Sequence, residues 1–476
     1  MELARVALGA TAAAAVLTLG LGCAGPVEET AVRQGGTLEV LGGADVEHLD
    51  TASAAGPAAG ALTRIYARTL FGTWASNDPA DMTVPRADVA ALLPTRANGG
   101  VSADGRTYTV RLRGGVRWNI EPPRAVTAPD FVRGLKRLCN PAAPSAARGY
   151  FTATIAGMAR YCAGFAEVDP RSAKAIARFQ AEHEIPGIEA RDARTLVFRL
   201  TRPAADFLNI LALPGAAAAP EEYDAHVPDS VELRRHTISA GPYQISSYEP
   251  GRWYVLDQNP AWRQASDPLR GRHVAKIQIT LGQDAESAQA RLEQGTADLT
   301  WNLPVPPAAL GRLRFAQGFA VMRTPGNGPY LAFATEPGRA GARRAVRQAV
   351  QYGIDRTALI AASGGPNVAR PVHTVIAAGD RGHGEFDLYR TAGDAGDAVA
   401  CRDRLARAGH PKGLSLTLSY RSDLGQLARA IRDDLRSCRI RTRLARGADG
   451  DIRLAARTPD WSGDNGRSAL APLVRG

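Results

Sequence analysis

The sequence lacks the short motifs that mark several common enzyme active sites. It has no GxxxxGK[ST] phosphate loop, no HExxH zinc pair and no GxSxG nucleophile turn. Its eight histidines are scattered, mostly among polar residues, and the carboxylate pairs at 221–222 and 433–434 are predicted to be solvated surface charge. These absences favour a protein that is not an enzyme. A secreted hydrolase stays open as an alternative, because a catalytic triad is defined by geometry rather than by spacing.

Long basic runs are also missing, although the formal net charge is +11. Lysine and arginine are spread along the whole chain. Aromatic residues make up 6% of it and do not alternate with basic ones as they do on nucleic-acid-binding surfaces. The charge therefore predicts a solvated, arginine-rich surface and no nucleic-acid partner.

Cysteine is scarce, and its spacing argues against a zinc site. None of the five cysteines forms a CxxC pair or has a neighbouring histidine, so no metal site and no cofactor are predicted. Four of them form two local pairs, Cys139 with Cys162 and Cys401 with Cys438, one pair in each half of the chain. In an oxidising compartment each pair would close a disulfide loop, although four cysteines allow three connectivities.

One short apolar stretch indicates the compartment. Arg5 precedes an apolar run over 6–21, which ends in the sequence GLGC at 20–23. This pattern is similar to the bacterial lipobox and predicts a lipoprotein signal peptide over 1–23, with Cys23 lipidated, followed by a polar tether over 24–35. The anchor would hold the protein at the outer face of the cytoplasmic membrane. A plain secretory peptide and a retained anchor are the alternatives.

The hydrophobic periodicity predicts a mixed α/β protein. At 476 residues the chain exceeds what one core supports, so at least two lobes are expected. Strands are predicted at 36–41, 107–112, 253–256, 277–281, 414–420 and 440–444. Helices are predicted at 59–74, from 128 onwards, at 285–293, from 343 onwards, at 397–408 and at 426–436. The alternation after residue 397 is typical of a parallel sheet.

Two turn-and-strand units resemble one another. DGRT at 104–107, with Arg111-Leu112 after it, matches DART at 192–195, with Arg199-Leu200 after it. Both predict a turn followed by a strand, and the match gives no evidence of a longer repeat.

Five blocks occur in a fixed order along the chain. They are LP at 93–94 with SADGRTYTVRLRGGVRW at 102–118 and VTAPDF at 126–131, the segment 192–208, GPYQI at 241–245 with NPAW at 259–262, AVRQA at 345–349 with IDR at 354–356, and PDWSGDN at 459–465. The ordered set resembles family 5 of the extracellular solute-binding proteins, the dipeptide- and oligopeptide-binding group. The resemblance implies a two-lobed periplasmic-binding-protein-like type II fold with mixed sheets, which closes on its ligand by hinge motion.

The resemblance also implies a function. It is that of the substrate-binding lipoprotein of an ABC importer, which captures peptides outside the membrane and delivers them to permease transmembrane subunits paired with a cytoplasmic ATPase. A monomer without catalytic residues is expected. The alternatives are a different solute (a nickel complex, haem, an opine or an oligosaccharide) or a truncated lipoprotein without a transport role.

Four ligand-site residues follow from the resemblance. Asp464 matches the carboxylate that pairs with the peptide α-ammonium in dipeptide-binding members. Arg421, at the end of a predicted strand, is placed similarly to the family's arginine that receives the ligand carboxylate. Trp461 and Tyr330 are expected to line the cleft. The alternatives are a turn cap for Asp464, a solvent-facing Arg421 and core positions for the two aromatics.

The sequence departs from the family pattern at two points. Dipeptide-binding members carry Asp-Pro where this chain has Arg467-Ser468. The chain also stops inside what should be a helix, before the family's return segments. We therefore expect a first lobe at 36–322 with an extra disulfide-bearing subdomain, and an incomplete second lobe at 323–476.

Overall fold

The structure is a computed structural model that describes most of the chain. The described residues are 34–54, 56–76, 79–313, 328–366, 368–376, 382–447, 449–457, 460–461 and 466–474. The predicted signal peptide with Cys23, the first ten residues of the predicted tether, the predicted lobe boundary at 322–323 and Asp464 lie outside them. Separate hydrophobic cores before residue 313 and after residue 328 confirm the two-lobed mixed α/β fold.

The first lobe contains ten strands and ten helices in the described part of the chain. Its strands are β1 Thr37–Gly42, β2 Phe71–Gly72, β3 Arg86–Ala87, β4 Thr107–Arg111, β5 Ile188–Asp192, β6 Thr195–Arg199, β7 Tyr243–Glu249, β8 Trp253–Gln258, β9 Lys276–Thr280 and β10 Leu299–Trp301. Its helices are α1 Gly56–Tyr66, α2 Pro79–Thr83, α3 Ala128–Arg137, α4 Arg148–Thr152, α5 Met158–Phe165, α6 Ala173–Glu182, α7 Phe207–Ile210, α8 Val231–Arg235, α9 Ala285–Glu293 and α10 Pro307–Leu313.

The second lobe follows, and a last helix comes after it. The strands are β11 Gly328–Phe333, β12 Leu414–Tyr420, β13 Ile440–Arg446 and β14 Ile452–Arg457. The helices are α11 Arg344–Gly353, α12 Arg356–Ala362, α13 Ala398–Arg407, α14 Gly425–Ser437 and α15 Gly466–Val474. Among the described residues, no helix combines the length and apolar character that a bilayer crossing requires.

Two sheets organise the first lobe. The larger has the order β10-β1-β9-β8-β7, with β1 parallel to both β9 and β10, and α1 packs against it around Tyr254 and Leu62. The smaller has the order β4-β6-β5. It pairs the two similar turn-and-strand units with each other, so that Thr107 lies opposite Arg199. Their likeness thus reflects two strands of one antiparallel pair.

Helix α3 begins where the sequence predicted a helix start, whereas α1 ends earlier than predicted. Asp130 accepts a hydrogen bond from the backbone N–H of Thr127 at 2.9 Å, as a capping acid does. The helix predicted over 59–74 ends at Tyr66. The carbonyl of Tyr66 accepts hydrogen bonds from the N–H groups of Ala240 and Gly241, at 3.0 and 2.9 Å, instead of continuing the helix. This long-range pairing leaves no local signal in the sequence.

The second lobe is built on a four-stranded sheet of order β11-β14-β12-β13. Strands β12, β13 and β14 run parallel, as the sequence predicted for β12 and β13, and β11 joins the edge antiparallel. Helices α11, α13 and α14 cover the sheet with the apolar residues of one core. The sheet is therefore mixed, as expected of this fold class.

Both predicted cysteine pairs are formed. Cys139 pairs with Cys162 in the first lobe, and Cys401 pairs with Cys438 in the second, with Cα–Cα distances of 5.1 and 5.7 Å. Each disulfide joins elements within one lobe, so neither restrains one lobe against the other.

Several arginines are buried, although the charge predicted a solvated, arginine-rich surface. Arg68 and Arg137 are 1% exposed, and each has a carboxylate partner. Arg68 and Arg270 share Asp88 and Asp267, whose side chains are fully buried. Because a buried charge needs a paired opposite charge, these residues form a closed cluster in the first lobe.

The acidic pair at 433–434 is only partly solvated. Asp434 lies half-buried on α14, where its carboxylate accepts a hydrogen bond from the backbone N–H of Asp355 at 3.1 Å. Burial raises the pKa of Asp434 to about 6. Its neighbour Asp433 is exposed, and hydrogen bonding to Arg432 lowers the pKa of that carboxyl group.

This difference predicts a pH-dependent gain of stability for Asp434→Asn. The folded pKa lies above the value of about 4 in an unfolded chain, so stability falls as pH rises from about 4 to 6 and the carboxylate becomes charged. Asparagine keeps the acceptor for Asp355. We expect Asp434→Asn to raise the free energy of unfolding at pH 8 by at most about 1 kcal/mol, after solvent screening, and to have a smaller effect at pH 4.5, where the carboxyl group of the folded protein is still mostly protonated.

Urea unfolding of the unaltered protein and of Asp434→Asn, each at pH 4.5 and pH 8, measures this effect. Asp433→Asn is the matched control and should not stabilise the protein at either pH. An equal gain from Asp434→Asn at pH 4.5 and pH 8 would contradict the assignment to titration.

Candidate ligand-binding site

Two predicted site residues, Arg421 and Tyr330, lie at the same edge of the second-lobe sheet, next to the junction of the two lobes. The parallel strands β12, β13 and β14 all end at this edge, and β11 begins there, with Gly328 opposite Arg457. Arg421 follows β12 directly, and Tyr330 is the third residue of β11, opposite Ala455. In open α/β sheets, ligands bind beyond the carboxyl ends of the strands. This edge is therefore the candidate ligand-binding edge.

Arg421 is not free in this structure. Its guanidinium is 64% exposed, and its Nε and Nη2 donate hydrogen bonds to the two carboxylate oxygens of Asp423, at 2.8 and 2.7 Å. These hydrogen bonds raise the pKa of Arg421. A ligand carboxylate could reach Arg421 either by replacing Asp423 at Nε and Nη2 or by binding the other edge of the guanidinium, at Nη1 and Nη2.

After β14 the chain leaves the second lobe and packs against the first. Trp461 meets Tyr150 edge to face, with ring centroids 4.9 Å apart, and it packs on the core formed by β4–β6 and α3–α7. The hydroxyl of Tyr150 donates a hydrogen bond to Asp460 at 2.6 Å. Trp461 thus lies where the chain passes between the lobes, in contact with the first-lobe core. Its contact with a ligand stays a prediction.

Arg467 makes a second contact with the first lobe. It lies at one of the two points where the sequence departs from the family pattern. Nε and Nη2 of Arg467 donate to both carboxylate oxygens of Asp206, at 2.8 and 2.7 Å, and Nη1 donates to the hydroxyl of Thr154 at 2.7 Å. The side chains of Arg467 and Asp206 are 18% and 13% exposed. Such a bidentate, partly buried pair holds α15 firmly on the first lobe.

These contacts attach the described parts of 460–474 to the first lobe, although the sequence placed them in the second. Sequence reasoning missed Tyr150 and Asp206 as their partners. The sequence carries only a partial signal: Asp206 falls within the second of the five blocks, and Arg467 lies where the chain departs from the family pattern. Asp464 lies in sequence three residues from each of Trp461 and Arg467. Its own position is outside the described residues.

Two lobes with separate cores, and a candidate site at the strand ends beside their junction, define the class of two-lobed periplasmic-type binding proteins. Within that class, residues 92–464 match the family model for the bacterial extracellular solute-binding proteins, family 5, middle region. The chain belongs to this family.

Relatives of known name support the same assignment. The dipeptide-binding protein of Escherichia coli (strain K12) is 27% identical over 276 residues, which are 55% of this chain and 45% of that protein. The glutathione-binding protein GsiB of Escherichia coli O6:K15:H31 is 24% identical over 326 residues, covering 67% and 53% of the two chains. The chain spans about half the length of the curated relatives it matches.

Solved structures show the same fold over almost the whole chain. The clavulanic acid biosynthesis oligopeptide binding protein 2 superposes with a TM-score of 0.77 and 26% identity, covering 93% of this chain and 80% of that one. DppA from Helicobacter pylori, solved in complex with the peptide STSA, superposes with a TM-score of 0.70 and 18% identity, covering 92% and 81%. The second likeness shows the fold alone.

Proposed function

We propose that this protein is the peptide-capturing subunit of an ABC importer, held outside the cytoplasmic membrane by a lipid on Cys23. The observation that carries the proposal is the structural likeness to an oligopeptide-binding protein over 93% of the chain, at 26% identity. The name of the Escherichia coli dipeptide-binding relative supports the same ligand class. Membership of the family supports delivery to permease subunits and a cytoplasmic ATPase, and the GLGC sequence at 20–23 supports lipidation.

The proposed mode of binding uses charge at both ends of the peptide. Asp464 would accept the α-ammonium group, and Arg421 would receive the carboxylate. Trp461 and Tyr330 would supply apolar walls near the lobe junction. The peptide main chain would form hydrogen bonds like an added strand, and its side chains would lie in wet pockets. Affinity then depends on the termini and the backbone more than on the peptide sequence.

Mass spectrometry of co-purified small molecules tests this function. The protein is purified without residues 1–22 and with Cys23→Ser, then denatured to release its ligand. We expect short peptides at close to one per chain, and saturable binding of added di- to pentapeptides by calorimetry. A sugar or a metal complex in their place would overturn the ligand class. An empty protein that also ignores added peptides would overturn peptide capture.

A further inference from the structure

The segment between α12 and α13, residues 363–397, has little regular structure of its own. Its described part contains no strand, and its helical content is one 3₁₀ turn at Ala392–Asp394. It also exposes five large apolar side chains, namely Val368, Val372, Val375, Phe386 and Leu388. A loop of this length without a core of its own is uncommon in a compact domain and is usually functional when it is ordered. Its described contacts with the second-lobe core include the ring contact between Tyr389 and Tyr352 and the hydrogen bond from the N–H of Asp397 to the carbonyl of Tyr352.

Three metal-ligating side chains meet inside this segment. Nδ1 of His373 lies 3.6 Å from an oxygen of Asp387, and Nε2 lies 3.4 Å from an oxygen of Asp394. One nitrogen and two carboxylate oxygens come within 4.8 Å of one another. The side chains of His373, Asp387 and Asp394 are 27%, 14% and 26% exposed, so an ion could reach them from solvent.

The spacing differs from that of direct hydrogen bonds. An N–H···O bond joins atoms 2.7–3.2 Å apart, whereas the two N···O distances here are 3.6 and 3.4 Å. One imidazole binds a given ion through only one of its two nitrogens, so the relevant spacing is the 4.8 Å within which one nitrogen and one oxygen of each carboxylate lie. Ligands of one tetrahedral Zn²⁺ at about 2.1 Å lie roughly 3.4 Å apart, so the three side chains would have to move together by about 1 Å on binding. Asp387 also uses its other oxygen to accept the backbone N–H of Tyr389 at 2.9 Å, which fixes the orientation of the carboxylate.

The charges of the three side chains also favour a bound cation. Within the described part of the chain, His373 is the one basic side chain in ion-pair range of Asp387 and of Asp394. One imidazole carries at most one positive charge, so it cannot compensate both carboxylates. A divalent cation would supply the missing positive charge.

We propose that His373, Asp387 and Asp394 bind one divalent transition-metal ion, with water completing the coordination shell. Imidazole and carboxylate together suit Zn²⁺ and Ni²⁺. The ligands lie 14 and 7 residues apart in sequence, so the ion closes two loops of the segment at once. That spacing matches no common sequence motif, which is why the sequence predicted no metal site. None of the three residues is among the four proposed peptide-site residues.

Calorimetric titration of Zn²⁺ into the EDTA-treated, tag-free protein tests the proposal. We expect one Zn²⁺ per chain, a rise in melting temperature with added Zn²⁺, and at least a 30-fold weaker affinity in His373→Ala. Asp394→Asn should weaken binding at least 10-fold and serves as the second variant if His373→Ala fails to fold. His383→Ala is the matched control, because that histidine lies in the same segment with its ring hydrogen-bonded to the carbonyl of Ile376 at 2.8 Å.

The outcomes separate this site from others on the molecule. His226 and His236 stack at 4.7 Å and form an alternative surface site. Loss of Zn²⁺ binding in His236→Ala but not in His373→Ala would overturn the proposal, and so would the absence of saturable Zn²⁺ and Ni²⁺ binding. Peptide binding is measured in EDTA, without the ion, so failure of the metal site and failure of peptide capture are distinguishable.

Discussion

Replacing Asp88 with asparagine is expected to lower the free energy of unfolding by about 3–5 kcal/mol. Asp88 lies in the fully buried ion cluster of the first lobe. It accepts hydrogen bonds from Nε of Arg68 at 2.8 Å and from Nη2 of Arg270 at 2.8 Å. Asparagine has nearly the same shape but no charge, so two buried guanidinium groups would share the single remaining carboxylate, that of Asp267.

The electrostatics of the cluster explain the size of this effect. Burial alone would raise the pKa of Asp88, but Arg270 and Arg68 beside it hold that pKa well below its usual range. The folded state therefore depends on the charged carboxylate at every pH at which the protein is expected to work. Removing one partner of such a buried group costs far more than removing a surface pair, because the remaining charges lose compensation without regaining water.

Urea unfolding followed by tryptophan fluorescence measures the loss. Trp262 reports on the cluster directly, because its Nε1 donates to Asp267 at 3.0 Å. The matched control is Asp423→Asn, which also removes a carboxylate from an arginine. Both partners of that pair are more than half exposed, so it should cost less than about 1 kcal/mol. Equal losses in the two variants would show that burial does not set the cost.

Replacing Asp464 with alanine is expected to weaken peptide binding 30- to 100-fold, which corresponds to about 2–3 kcal/mol. The expectation rests on the proposed contact between this carboxylate and the peptide α-ammonium. A desolvated, charge-assisted hydrogen bond is worth roughly twice a neutral one. Leaving the ammonium group without a partner inside a closed site adds the cost of its lost hydration.

Calorimetry with a tripeptide and its N-acetylated form tests the contact itself. Acetylation removes the positive charge, so it should weaken binding to the unaltered protein about as much as Asp464→Ala does. It should not weaken binding to Asp464→Ala any further. Asp403→Ala, an exposed carboxylate on α13, is the control and should leave affinity unchanged. If acetylation weakens both proteins equally, Asp464 does not receive the amine.

The sequence predicts the elements whose signals are local. Helix α9 begins and ends where the periodicity placed it, and the capping acid Asp130 marks the start of α3. The parallel order of β12 and β13 followed from their alternation with helices. Both cysteine pairs were also predicted, since each closes a short stretch of chain.

Features that depend on distant partners were not predictable in this way. The end of α1 is set by residues more than 170 positions away, and the pair between Arg467 and Asp206 joins residues 261 positions apart. The burial of Arg68 beside Asp88 is likewise invisible without the fold, because an arginine in a polar context predicts a surface position. Composition and spacing indicate the chemistry of a residue, whereas these contacts depend on which distant residue the fold places beside it.

The docking of the described parts of 460–474 on the first lobe has a consequence for biogenesis. Tyr150 and Asp460, which are hydrogen-bonded, are separated by 310 positions, so the first lobe cannot complete its packing until nearly all of the chain has been made. Contacts of such high sequence separation slow folding, because the entropy of a long loop is lost before they form. For a chain proposed to cross a membrane before it folds, this contact could form only after residues 460 and 461 had crossed as well.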